Sequence, residues 1–322
     1  MKTLNARRLM VLLIGTFLFV SGTVIAQTME EAMALFNDSR TLVAEGKTFE
    51  AIEKLEEVIR MSDQLGEEAE GLKGNAAAAL PNLYYIHAKN LFDDGQLEEA
   101  IGLYEKTLVV AEKYNDQQTY DLTSGVLAQL FLKSGNDKFR AREFEEALVD
   151  LERAFLLDST NTSTLLLMAY CHRRLENFPE MIHYFQAVIA HGRPNERNVT
   201  TSRDALLTHY MNTGARLINA QEVEAGLLHL DTAATFGETA DLLYFYAVGF
   251  NAAERHTEAI EAAQKSISLE PANRENEARN QFEIGTAWYA QNNTTRACEA
   301  YRAANFGRTA NRADQMIRAL CR

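Results

Sequence analysis

Seven stretches of the chain share one pattern of apolar and polar positions: "FEAIEKLEEVI", "LEEAIGLYEKTL", "FEEALVDLERAF", "FPEMIHYFQAVI", "VEAGLLHLDTAA", "HTEAIEAAQKSI" and "TTRACEAYRAA". In each, a small or apolar residue is followed four positions later by another apolar one, larger in all but the sixth, where it is Ala263, and three later by another small one. That spacing places all three on one face of a helix. The lead residues are Ala51, Ala100, Ala147, Met181, Gly226, Ala259 and Ala297. Twelve positions before each lead stands a small residue: Ser39, Ala88, Gly135, Ala169, Gly214, Ala247 and Gly285. Only a small side chain lets two helix backbones approach closely, so the pattern predicts seven helix pairs. Three residues further on, Leu42, Leu91, Leu217, Phe250 and Trp288 supply a bulky partner, whereas Lys138 and His172 break the rule. Phe139, beside Lys138, is placed to take over the packing.

The leads are 49, 47, 34, 45, 33 and 38 residues apart. Two of these spacings sit at or beside the 34-residue period of the tetratricopeptide repeat, and the others read as that period with lengthened helices. "LKGNAAAALPNLYYIHAKNLF" and "AEKYNDQQTYDLTSGVLAQLF" read as extended helices joining the early repeats, with Pro81 starting or kinking the first of them. Pro179 suits a first helical turn, and Pro271 stands where the repeat stops its second helix. The chain therefore resembles the tetratricopeptide repeat family over about residues 30 to 309. The resemblance implies an all-α fold, a right-handed α-solenoid of about seven helix pairs, whose first helices line a concave groove. It implies no intrinsic chemistry; function would live on the surfaces.

The first residues bear on compartment. "MKTLNARRLMVLLIGTFLFVSGTVIAQ" has Lys2, Arg7 and Arg8 before an apolar run from Leu9 to Val20, then small residues ending at Ala26. This is the layout of a cleaved signal peptide, so residues 1–26 are assigned as the leader and the mature chain as exported, periplasmic or secreted. An uncleaved anchor is the other reading. After Ala26 no apolar run approaches the ~20 residues of a membrane helix. Without the leader the chain has 29 basic and 45 acidic residues, a net charge of −16 that argues against nucleic acid as a partner.

A repeat array leaves its last apolar face bare and needs a cap. Residues 27–309 are assigned to the array and 310–322 to a capping helix, in which Ala313, Met316, Ile317 and Leu320 share one side. Two of the three cysteines lie here. In an oxidising compartment a Cys298–Cys321 disulfide would pin the cap to the body; the alternative is two unrelated buried thiols. "ACEAYRAA…C" also resembles the end of exported bacterial members of the family. Cys171 has no local partner and reads as a buried small hydrophobe.

No catalytic motif is present: no His-Glu-x-x-His, Cys-x-x-Cys, Gly-x-Ser-x-Gly or phosphate loop. His183 and His191 have no carboxylate at a matching offset, so neither metal nor cofactor is expected, and the chain is not read as an enzyme. Binding is the better question. On the first helices, Tyr170, Arg173, Arg174, Asn212, Tyr244, Asn251, Arg279, Phe282 and Tyr289 are the candidates for a peptide-binding groove between the fourth and seventh repeats. Tyrosine and arginine are the types that anchor interfaces. The arginines point to an acidic or carboxylate-bearing protein segment. Two other readings are a structural subunit of an envelope assembly and a glycan-binding component of an outer-membrane uptake system. Trp288 alone and the lack of a lipid-attachment cysteine speak against the second of these.

Overall fold

The computed structural model describes residues 28–321. The expected leader and its cleavage after Ala26 lie outside the described residues, as does Arg322. The chain divides between Ser159 and Thr160 into two compact units. The first holds α1 (residues 28–44), α2 (Thr48–Leu65), α3 (Glu70–Asp93), α4 (Leu97–Lys113), α5 (Gln117–Ala141) and α6 (Phe144–Leu157). The second holds α7 (Thr162–Arg174), α8 (Phe178–His191), α9 (Arg197–Asn219), α10 (Val223–Ala234) and α11 (Ala240–Ala252). It continues with α12 (His256–Leu269), α13 (Arg274–Ala290), α14 (Thr294–Ala303) and α15 (Ala310–Leu320). Among the described residues there is no strand. These are seven helix pairs of the tetratricopeptide type and a capping helix, the all-α class that the pattern predicts.

The lead residues are why the pairs close. Ala51, Ala100, Ala147, Met181, Ala259 and Ala297 are buried, and so is Gly226. The larger residues four positions on, Leu55, Tyr104, Leu151, Phe185, Leu230 and Tyr301 among them, are among the most completely buried side chains. Each such burial stabilises by about 1.5–3 kcal/mol. Gly214 and Gly226 show the contact at its tightest: a Cβ on either would lie 2.8 Å from the other's carbonyl oxygen. At the positions that break the bulky rule, Lys138 pairs with the buried Asp150 carboxylate at 2.7 Å, and His172 stacks on Tyr184.

The turn inside every pair is the same. One residue takes a left-handed conformation: Gly46, Gly95, Arg142, Glu176, Gln221, Glu254 and Asn292 in order. The next residue's N–H then donates to the carbonyl five back, as in Lys47 to Leu42, Arg255 to Phe250 and Asn293 to Trp288. This is a Schellman-type helix end, and the accepting carbonyl belongs to the bulky position of the pattern. Only two of the seven left-handed residues are glycine, so five turns carry backbone strain.

Two sequence expectations need correction. The stretch from Ala111 to Phe131 is not one helix, because Asn115 turns left-handed and Asp116 caps α5 by accepting from the Thr119 N–H and hydroxyl. Of the two roles given to Pro81, starting the helix is excluded, because Pro81 lies inside α3. The lengthening of the early repeats is real, since α3 and α5 run 24 and 25 residues. Pro179 sits in the first turn of α8. The cap docks as the apolar side of α15 requires: Ala313, Met316, Ile317 and Leu320 pack on Phe282, Ala297, Tyr301 and Ala304. Cys298 and Cys321 are joined by a disulfide, with Cα atoms 5.6 Å apart, and Cys171 is buried and free.

Candidate functional site

In the second unit successive first helices pack on one another directly, α7 on α9, α9 on α11 and α11 on α13. They form the layer that the resemblance implies is the inner one, and the expected binding residues lie on them. Three of these helices start on side-chain caps: Asn161 of α7 accepts from the Ser163 and Thr164 N–H groups, Thr239 of α11 from Leu242 and Asn273 of α13 from Asn276.

At the C-terminal end of this layer is a cluster on α11 and α13, with α15 beside it. The Arg279 guanidinium lies 4.5 Å over the Tyr244 ring. It is held there by donating to Asn276 Oδ1 at 2.7 and 3.0 Å and to Asp241 at 2.5 Å. Asn276 is itself locked by a buried network with Ser266 and Asn280. Burial, chiefly, pushes the Tyr244 hydroxyl pKa up, with Glu283 adding to it and Arg279 and Arg312 opposing. Asn251 Nδ2 donates to the Glu283 backbone oxygen at 3.0 Å and to its carboxylate at 3.1 Å. Glu283 is 7% exposed, and burial raises its carboxyl above the usual range against the pull of Asn251 and Arg312.

The nine expected residues fare differently. Tyr244, Asn251 and Arg279 come together, though Asn251 spends its amide on Glu283 and Arg279 is already paired. Phe282 is buried in the core against Tyr301, with the Arg312 guanidinium 4.1 Å over its ring. Tyr170 stands edge-on to Phe185 with Arg173 at 4.8 Å. Arg174 and Asn212 are exposed, and Tyr289 is 46% exposed. Glu283 and Arg312 were not visible as candidates. Arg312 belongs to the cap, outside the repeat register, and Glu283 was one acid among many; its place two residues before the packing glycine Gly285 was the available signal.

The arrangement presents guanidinium groups fixed over aromatic rings, a surface suited to carboxylate and amide groups of a polypeptide. Among the described residues no group of three or more His, Cys, Asp or Glu is placed to hold a metal. No helix of the described residues is long and apolar enough to cross a membrane.

No protein-family model and no curated protein matches the chain. Among solved structures it is similar to MamA, at 20% identity over 61% of this chain and 96% of that one, with a TM-score of 0.38. It is similar also to YrrB, a TPR protein with an unusual peptide-binding site, at 16% identity over 57% and 90% with a TM-score of 0.37. A third is the TPR2AB domain of yeast Sti1 in its pHSP90 complex, at 16% identity over 76% and 100% with a TM-score of 0.33. At such scores the fold assignment rests on the helix pairs themselves.

Proposed function

We propose that the chain is a non-catalytic scaffold, exported to the periplasm or secreted, that holds a segment of a partner protein on the inner layer of its second unit. The observation that carries this reading is the Tyr244–Arg279–Asn251–Glu283 cluster with Arg312 beside it. Arg279 is built into place by buried amides, which is more structure than a solvated surface arginine needs. The composition of the unit agrees: residues 160–322 carry 15 arginines and one lysine. Arginine is the cation suited to planar, bidentate contact with carboxylates. The partner segment is accordingly acidic or rich in side-chain amides. The leader layout and the Cys298–Cys321 bond support an oxidising compartment.

Photo-crosslinking tests the site. A benzoylphenylalanine placed at Asn212 or Tyr289, both exposed on first helices, should capture a partner in cells. The same group at exposed Leu228 on α10 serves as the control for the opposite layer. Once the partner segment is mapped, Arg174→Ala or Tyr244→Ala should each weaken it by about 1–2 kcal/mol in calorimetry. Crosslinks from Leu228 alone, or unchanged affinity in both variants, would refute the assignment. Mass spectrometry of the cell-purified protein should begin at Gln27 if the leader is removed.

A further inference from the structure

The first unit holds a second candidate site, independent of the inner layer just described. A pocket of about 300 Å³ opens between α2, α3 and α4. Its apolar part is Ile52, Leu91 and Leu103, with Phe49 at the lip, 52% exposed and beside the His87 ring at 5.5 Å. Its polar part is three carboxylates, Glu53, Glu56 and Glu99, and one ammonium, Lys106. Glu56 is committed: it accepts from the Tyr84 hydroxyl at 2.5 Å and pairs with Lys106 at 3.6 Å. Lys106 in turn lies 4.5 Å over the Tyr84 ring. Glu53 and Glu99 are exposed and form no ion pair among the described residues. Burial keeps His87 toward its neutral form, so it does not offset them.

We propose that this pocket receives a lysine or arginine side chain from an apolar stretch of a partner polypeptide. The stem of such a side chain would lie on Ile52, Leu91 and Leu103 while its head met Glu53 and Glu99. Long cationic side chains bury their stems on apolar surface and keep the charge at its edge. The Lys106–Tyr84 contact shows the wall accepting an ammonium over an aromatic face. The charge of the unit favours the same ligand. Residues 28–159 carry 13 basic and 27 acidic residues, net −14, against 16 and 18, net −2, for residues 160–322. A cationic segment would thus be steered to the first unit and an anionic one disfavoured there.

Gly102 makes the proposal testable. It lines the pocket from within α4, and a Cβ added there meets no atom within 4 Å. Gly102→Phe would therefore fill the pocket without touching the core. The experiment selects displayed random nine-residue peptides on the immobilised full chain, in parallel on wild type and on Gly102→Phe. Wild type should enrich peptides with Lys or Arg between apolar residues, and Gly102→Phe should not. By calorimetry on the selected peptide, replacing its Lys or Arg by norleucine should weaken binding at least tenfold. Glu53→Gln with Glu99→Gln should cost the same factor for the basic peptide and almost nothing for the norleucine peptide. No basic–apolar consensus, or a consensus that binds Gly102→Phe as well as wild type, would overturn the proposal. Should Gly102→Phe melt early, the glutamine pair decides alone, since both carboxylates are exposed. Equal loss for both peptides on the glutamine pair would also defeat it.

Discussion

The two units use one helix-pair grammar for different ends. In the first, α3 and α5 run 24 and 25 residues, and over residues 28–159 eight lysines and five arginines stand against 27 acids. In the second, α9 alone approaches that length, with 23 residues, while α7, α8, α11 and α12 have 13 or 14, and a single lysine accompanies fifteen arginines. Arginines there lie over Tyr170, Tyr244, Phe250, Phe282, Trp288 and Phe306. Lysine is a hydrated point charge, whereas a guanidinium stacks and forks. The difference teaches that the pairing pattern leaves surface chemistry free, because the buried residues of each pair occupy only one stripe of each helix.

The largest effect should come from glycines with different surroundings. Gly214→Ala pushes a methyl within 2.7 Å of the Leu230 side chain and 2.8 Å of the Gly226 carbonyl. The backbone cannot step aside, so the loss should reach about 3 kcal/mol in denaturant unfolding. Gly102→Ala in the first unit meets open space and should instead gain up to ~1 kcal/mol from helix propensity. Similar effects at the two sites would break the comparison.

Next in size is the staple that only the second unit has among the described residues. Cys298→Ser with Cys321→Ser opens a link of 23 residues, worth about 3 kcal/mol at most on the chain-entropy account. In a repeat stack such losses stay local. Hydrogen exchange should therefore quicken in α13 to α15 while α2 to α4 keep their protection. Quickening throughout would show the units to be coupled.

A smaller effect concerns pH. The folded Glu283 carboxyl titrates above its unfolded value of about 4.5 because burial penalises its charge. The folded state then holds a proton that the unfolded chain has lost, so stability falls as pH rises from that value through the folded pKa. Glu283→Gln keeps an oxygen to accept from Asn251 and has no proton to lose. Its melting temperature should match wild type near pH 4 and exceed it at pH 7.5. A wild-type advantage at the higher pH would mean that Arg312 outweighs burial.

The smallest effect should be shared by both units. Arg142 and Gln221 are left-handed, with φ of 69° and 66°, in equivalent turns. Replacing either by glycine relieves strain and adds unfolded-state freedom, a net gain of about 0.5 kcal/mol. Thermal melts of the two variants should shift alike. A clear difference would mean that even the turns are not equivalent.

What was legible in the sequence follows from what constrains it. The leads from Ala51 to Ala297 and the small residues from Ser39 to Gly285 were readable because close helix contact tolerates few residue types. The break at Asn115 was not. A left-handed asparagine followed by an aspartate cap is a local event, and the apolar spacing runs on either side of it undisturbed. Of the candidate site, Tyr244 and Arg279 were visible as interface types on a first helix. That Phe282 faces the core, and that Asn251 is spent on Glu283, depend on how α13 is rotated against α14 and α15. Rotation of that kind is set by tertiary packing and leaves little trace in residue type.

The buried Cys171 bears on the order in which the molecule must assemble. Three thiols permit three pairings, and the folded protein contains one of them. Cys171 leaves the ribosome well before Cys298 and Cys321. It lies on α7, the first helix of a hairpin whose partner, α8, begins at Phe178. Contacts so local in sequence form early. Once enclosed, the thiol is pushed up to about 11 by burial and carries almost no thiolate to attack a disulfide. Enclosure of α7 by α8 and α9 thus retires one competitor from thiol exchange before the last two cysteines are available to find each other.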